Sequence, residues 1–286
     1  MSEDRCEQQE KEKKWRKILY ERQPFEDEYS GGSEFLKELR TNITVVEYSF
    51  VEAICGASLV MLHTNAIVFY YLMFDSIKNS SISSVQHFSL IFAIALALYT
   101  AYLYMIRPRN LRDHVYTFIT LLCFGYMLTP IIRTLTDTIS TDTIYAMSFI
   151  LFLTSFVFHD YTMVAPLVST ILSVNLSLAA SVCLVSRVSS NESAFGLLAL
   201  SMLLFSYWPQ MRNVLYRKWS KSPLILIFFS SLLLFSALHQ HSCSLSILYL
   251  LVLMFVLLIC PSILMIIQPW KSTKHGPWDE AIATFE

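Results

Sequence analysis

Apolar residues in this chain form long runs, without the alternation of a strand or the narrow stripe of a helix on a soluble surface. Eight runs follow one another, over Phe50–Phe74, His87–Ile106, Val115–Ile132, Thr143–Phe158, Met163–Val185, Ala194–Pro209, Leu224–Leu238 and Leu245–Ile267. A hydrocarbon core about 30 Å thick is crossed by about 20 helical residues. The pattern therefore predicts an all-α, polytopic membrane protein with about eight transmembrane helices. Thr143–Phe158 and Leu224–Leu238 fall slightly short of a comfortable crossing, so a buried helix that does not span is the alternative there. The chain divides into a polar tail at 1–49, the membrane domain at 50–267 and a short tail at 268–286.

Composition agrees: 55% of residues are hydrophobic and 15% charged, with a mean hydropathy of +0.50, well above that of a soluble domain. The placement of charge adds an orientation. Of the 21 Lys and Arg residues, all but Lys78, Arg133 and Arg187 fall in the two tails or in alternate gaps, the latter at Arg107, Arg109, Arg112, Arg212, Arg217, Lys218 and Lys221. Basic loops near span ends stay in the cytoplasm. Both termini are therefore expected in the cytosol, and adding or deleting one span would scramble the partition. The net charge of −1 gives no case for nucleic acid.

The tail at 1–49 is polar rather than a basic head with an apolar run, so the first span is expected to act as the insertion signal. It holds two short amphipathic pieces separated by Pro24 and Gly31-Gly32. Trp15, Ile18 and Leu19 share a face beside Lys13, Lys14, Arg16 and Lys17; Phe35, Leu36, Leu39 and Ile43 share another, with Ser33 placed as a cap. Such segments fit an anionic leaflet or a partner protein equally well. Two sequons, at Asn79 and Asn191, fall in gaps of the opposite, lumenal side.

Few residues suggest chemistry. No glycine pattern approaches a nucleotide-binding turn, and a nucleotide-sugar domain of ~100–200 residues has no room in a 49-residue tail. No cofactor or metal is expected. His239, His241 and Cys243 have metal-ligand types without a fixed third partner. His159-Asp160-Tyr161, in the short turn after the fourth run, could act as an acid and base pair, or Asp160 could simply cap the fifth helix. His63, Asn65, Asn175 and Arg133 lie within or at the ends of spans. Burial in lipid is costly for them, so helix contacts are expected, Asn175 included.

A resemblance runs along the chain. Trp15-Arg16-Lys17-Ile18-Leu19-Tyr20-Glu21-Arg22-Gln23-Pro24-Phe25 opens it. Thr134-Leu135-Thr136, Ser140 to Ser148, Asp160-Tyr161, Leu172-Ser173 with Asn175, Ala180 to Leu184, Trp208-Pro209, Cys260-Pro261 and His275-Gly276-Pro277-Trp278-Asp279-Glu280-Ala281 continue it in order. Together these blocks resemble the PIG-C family, which supplies the C component of phosphatidylinositol N-acetylglucosaminyltransferase. Glu26-Asp27-Glu28 departs from the family's usual Pro-Asp-Asn, and the first two spans match poorly.

The resemblance implies a non-catalytic membrane subunit of an endoplasmic reticulum complex. That complex transfers N-acetylglucosamine from UDP-N-acetylglucosamine to phosphatidylinositol, the first step of glycosylphosphatidylinositol anchor synthesis. It also implies the A, H, P, Q and Y components of the same complex as partners, with the glycosyltransferase fold in the A component. The contact candidates for partner or lipid headgroup are Trp15, Tyr20, Gln23, Pro24, Phe25, Arg107, Arg109, Arg112, His159, Asp160, Trp278 and Asp279. Two other readings stay open at this point: an intramembrane transferase using His159 and Asp160, and a lipid transporter acting alone. Asp142, at the start of the fourth helix, is expected to be a cap.

Overall fold

A computed structural model of the chain describes residues 22, 40–42, 47–79, 84–106, 110–135, 138–159, 161, 167–272 and 274–275. These belong to two units, one running from Ser49 to Leu264 and the other made of Met1–Tyr48 with Met265–Glu286. In the second unit, strand β1 (Arg40–Thr41) pairs antiparallel with β2 (Lys274–His275). The Lys271 ammonium lies 5.8 Å from the centroid of the Tyr48 ring. The two amphipathic tail segments expected around Trp15 and Phe35 lie outside the described residues.

The larger unit is all-α, and every one of the eight apolar runs contains a helix. In chain order these are α1 (Phe50–Asn79), α2 (Ser84–Ile106), α3 (Leu111–Leu135), α4 (Thr141–Phe158), α5 (Leu167–Val185), α6 (Asn191–Met202), α7 (Trp208–Lys218), α8 (Ser222–His241), α9 (Cys243–Met254) and α10 (Cys260–Ile267). Among the described residues six helices are long and apolar enough to cross a membrane: Phe50–Asn79, Arg112–Ile132, Thr141–Phe158, Asn191–Lys218, Ser222–His241 and Cys243–Trp270. Ile91–Ile106 and Ser169–Val185 are shorter apolar helices. The chain is a multi-pass membrane protein.

Local chemistry explains several helix ends. Ser49 and Glu52 form a reciprocal capping box at the start of α1: the Ser49 amide donates to Glu52 Oε2 at 2.9 Å and the Glu52 amide to Ser49 Oγ at 3.3 Å. At the start of α4 the cap is Ser140, whose Oγ accepts from the Thr143 amide at 3.3 Å. Asp142 sits in the first turn instead, where its charge complements the helix dipole, so the expected cap is displaced by two residues. Ser190 caps α6 in the same way, accepting from the Ser193 amide.

Two prolines, Pro209, where a predicted run ends, and Pro261, are carried inside long helices. A π-helical turn at Leu203–Tyr207 joins α6 to α7 two residues before Pro209, and another at Phe255–Ile259 joins α9 to α10 two residues before Pro261. The wider turn takes up the missing N–H of the proline without ending the helix. The sixth span thus runs on to Lys218 rather than stopping at Pro209.

Helix α1 occupies the middle of the unit. Tyr70 and Phe74 pack with Phe152 of α4, Leu184 of α5 and Leu197 of α6, while Met61 and Leu62 pack with Ile227 and Leu234 of α8 and Tyr249 of α9. A third cluster joins α2, α3 and α7 through Tyr99, Tyr102, Phe118 and Met211. Polar contacts fix the positions. Asn65 of α1 donates through Nδ2 to Ser230 Oγ at 2.9 Å, and its Oδ1 accepts from Tyr249 at 2.9 Å, so one amide ties α1 to both α8 and α9.

Candidate functional site

A group of buried polar side chains in the larger unit lies where α4 ends. Its construction begins with serines. Ser155 of α4 and Ser173 of α5 exchange hydrogen bonds with each other's carbonyls at 2.9 Å, and Ser155 also meets the hydroxyl of Ser177. Small side chains let the two backbones approach closely. Asn175 is exposed instead. It is two residues from each serine, about 200° around the helix, so the close contact expected of it belongs to Ser173 and Ser177.

Beyond this seam the backbone leaves the helix. His159 is the residue following α4, in extended conformation at φ −66° and ψ 135°, and its ring folds back under the helix end. Its Nδ1 lies 3.1 Å from Ser173 Oγ. Tyr161 then donates its hydroxyl to the Phe156 carbonyl at 2.8 Å, which closes the turn. His63 of α1 stacks on His159 with ring centroids 3.8 Å apart and planes 12° from parallel. Tyr161 and Phe205 meet the His63 ring edge-on, each at 6.4 Å.

Arg212 of α7 completes the group and is 1% exposed. Its Nη1 donates at 3.3 Å to the Leu59 carbonyl, one turn before His63. Counted in the sequence as a loop cation, it is a buried one. The signal that could have found it is its place three residues after Pro209, once the helix is allowed to continue through that proline.

Depth follows from helix rise. Cys55 Sγ approaches the Ser220 carbonyl, between α7 and α8, at 3.8 Å, and His63 is eight residues further along α1, or about 12 Å at 1.5 Å per residue. The end of α4 therefore lies about 12 Å deeper in the bundle than the α7–α8 connection.

Electrostatics keep His159 neutral. Burial pushes its pKa well down, and the neighbouring His63 ring and Arg212 guanidinium push it the same way. Burial raises the Tyr161 hydroxyl, against a smaller opposing effect of Arg212. Among the described residues, neither His63 Nε2 nor His159 Nε2, both buried, meets a hydrogen-bond partner. A general base must reach its substrate's proton, yet His63 is 3% exposed and His159 8%. Among the described residues no carboxylate is hydrogen-bonded to either ring, and no group of three or more His, Cys, Asp and Glu converges as a metal site. His241 instead faces Asp75 at 3.7 Å. The arrangement suits packing and hydrogen bonding between helices.

Of the contact candidates, His159 lies in this group and Arg112 lies elsewhere, exposed in the first turn of α3 with its guanidinium 5.6 Å from the Tyr116 centroid. An aromatic seam joins α3 to α2 and α7 further along the same helix. Tyr99 stacks on Phe118 at 3.7 Å and contacts His114 Nδ1 through its hydroxyl at 3.3 Å, and Tyr102 donates to Gln210 at 3.2 Å. Sequence reading missed this aromatic seam, since its members come from three helices. Trp15, Tyr20, Gln23, Pro24, Phe25, Arg107, Arg109, Asp160, Trp278 and Asp279 lie outside the described residues.

Comparison with known proteins covers the same span of chain. Residues 15–279 match the GPI2 family, described as phosphatidylinositol N-acetylglucosaminyltransferase. The C component of that enzyme from Homo sapiens is 33% identical over 287 residues, covering 95% of this chain and 93% of the relative. Its Rattus norvegicus counterpart is 31% identical over 277 residues, with 94% and 93% covered. The GPI2 subunit of Schizosaccharomyces pombe is 27% identical over 282 residues, with 94% and 87% covered. No solved structure matches. A match that takes in every helix described above, in order, identifies the whole chain: it belongs to the GPI2 family of phosphatidylinositol N-acetylglucosaminyltransferase subunits.

Proposed function

We propose that this chain is the non-catalytic membrane subunit of a complex that transfers N-acetylglucosamine from UDP-N-acetylglucosamine to phosphatidylinositol, opening glycosylphosphatidylinositol anchor synthesis. The single observation that carries this reading is the end-to-end match to the mammalian C components of that enzyme, 93% of whose length is covered. The non-catalytic part is supported by the burial of His63 and His159, which leaves neither ring open to a substrate's proton. Transfer chemistry is then supplied by the A component, with the H, P, Q and Y components as further partners.

In this reading the complex sits in the endoplasmic reticulum membrane with both tails of the chain cytosolic, as the distribution of Lys and Arg supports. The domains are the tail at 1–49, the membrane domain at 50–267 and the tail at 268–286. Arg107, Arg109 and Arg112, with the Trp15–Phe25 segment, form the docking surface for the catalytic subunit and the lipid acceptor, because guanidinium groups pair well with carboxylates and phosphates. His159 and His63 hold the helices that carry that surface.

The test is affinity purification of the full chain from membranes, with mass spectrometry of its partners and an assay of sugar transfer to phosphatidylinositol. The expected result is co-purification of a partner with a glycosyltransferase domain and transfer by the complex alone. Transfer by the isolated chain would overturn the reading.

A further inference from the structure

An apolar groove of about 710 Å³ runs between α1, α4 and the last long helix. On α1 its wall extends from Val60 to Tyr71, and on α4 from Tyr145 to Phe156, with Val252 and Val256 across from them. Eleven residues of helix rise about 16 Å, close to the depth of one leaflet, half of a hydrocarbon core about 30 Å thick. Between the two tyrosines and Phe156, the described aliphatic hydroxyls of the wall are turned back to their own helices. Thr64 Oγ1 is turned back to the Val60 carbonyl at 3.2 Å and Ser148 Oγ to the Ile144 carbonyl at 2.8 Å.

One end of the groove is polar. Tyr71 and Tyr145 stand there, and the Lys78 ammonium donates to the Tyr145 hydroxyl and lies 4.8 Å from its ring centroid. Lys78 is exposed, one residue from the end of α1. Tyrosines at this level match the interfacial belt of membrane proteins. The nearby carboxylate of Asp75 is engaged elsewhere, by the Asn79 amide at 2.8 Å and by His241. At the other end the groove closes at Phe156, against the His63 ring.

We infer that this groove holds an acyl chain of a glycerophospholipid from the leaflet at the Lys78 end of the bundle, with the lipid's phosphate against Lys78. A partner's transmembrane helix is the competing occupant, and the Lys78 ammonium beside the two phenols favours the lipid, whose phosphate it complements. An apolar wall of one leaflet's length ending in an ammonium and two phenols complements a phospholipid in both shape and charge. By the charge-derived orientation this leaflet is the one opposite the sugar donor. The bound lipid is thus a fixed part of the protein, distinct from the acceptor.

The test is photolabelling of the full chain in its assembled complex, in nanodiscs containing a phosphatidylcholine with a diazirine near the end of one acyl chain. Label is expected in the peptides covering 60–71 and 145–156, at several times the level in the exposed face of α9. Leu153→Trp, which fills the groove from an exposed position, and Lys78→Glu should each lower that label severalfold while leaving co-purification of partner subunits intact. Label spread evenly over the outward faces, label unchanged in both variants, or a cross-link from the groove to a partner protein would overturn the inference. Co-purification reports separately on the proposed function, since the labelled peptides are read from this chain alone.

Discussion

The ring of His63, in the middle of α1, lies face to face with the ring of His159, beyond the end of α4, at 3.8 Å between centroids. Ninety-six residues separate them in sequence, and the contact joins the central helix to the α4–α5 pair just where Arg212 ties α1 to α7 through the Leu59 carbonyl. Three helices thus converge on neutral and cationic nitrogen groups about 12 Å inside the bundle, a depth set by the rise of α1. Groups so placed are expensive unless they connect helices or serve a ligand.

If the pair connects helices, shape matters more than basicity. His63→Phe retains a flat ring against His159 and should change stability by less than about 1.5 kcal/mol, as volume-conserving swaps do. His63→Ala should lose about 2–4 kcal/mol through the cavity it leaves. Thermal unfolding of the purified complex reads both. Sugar transfer by the His63→Phe complex should persist; its disappearance at unchanged stability would assign the pair a chemical role.

The protonation of His159 gives a second expectation. Its folded pKa lies below the ordinary 6.5, so below about pH 6.5 the unfolded chain takes up a proton that the folded one refuses. Stability from this group is complete above the unfolded value and falls as pH drops, by at most about 1.4 kcal/mol per pH unit. The unfolding midpoint of the complex should decrease between pH 7 and pH 5. His159→Phe should flatten that slope, and an identical slope in the variant would remove His159 as its source.

Asn65 and Tyr249 allow a pairwise test. Asn65→Leu strips the Tyr249 hydroxyl of its acceptor at a buried position, and Tyr249→Phe leaves the amide oxygen without its donor. Side-chain hydrogen bonds between membrane helices average about 0.6 kcal/mol and reach about 1.7. The double variant should therefore be more stable than the sum of the single losses predicts, by about that amount. A coupling of zero in the double-mutant cycle would mean the bond contributes only geometry.

The apolar runs made the all-α membrane fold readable, because crossing a bilayer imposes a length that any helix must meet in its own sequence. Helix packing left no comparable trace. His63 and His159 were each visible as unusual polar residues, yet their pairing depends on where α1 and α4 cross, and no local pattern encodes that. Asn175 drew attention by its chemistry, whereas the contact face of α5 is set by Ser173 and Ser177, one turn apart and on the opposite side. Arg212 was hidden by a rule that is sound in isolation: Pro209 ought to end a helix, but the π turn before it lets the helix continue and carries the arginine into the core.

The docking surface is tested by charge. Arg112 is exposed in the first turn of α3 with its guanidinium over the Tyr116 ring, so its replacement by Glu disturbs neither the buried serine seam nor the His63–His159 contact. Exposed ion pairs contribute roughly 0.2–1 kcal/mol each. In the proposed docking surface, reversal at Arg107, Arg109 and Arg112 together would replace three attractive charges by three repulsive ones toward the partner carboxylates or lipid phosphates they are proposed to meet. Transfer from UDP-N-acetylglucosamine to phosphatidylinositol in isolated membranes should fall by about tenfold or more, since about 1.4 kcal/mol is one decade. The chain's abundance and thermal midpoint should hold, because Arg112 is exposed and the buried seams are untouched. A loss of catalytic-partner binding in single Arg112→Glu membranes that is largest at low ionic strength and shrinks as salt is added would place it in an electrostatic contact, because salt screens the repulsion. Unchanged transfer together with unchanged assembly would remove this loop from the docking surface and leave the amino-terminal tail as the segment to test.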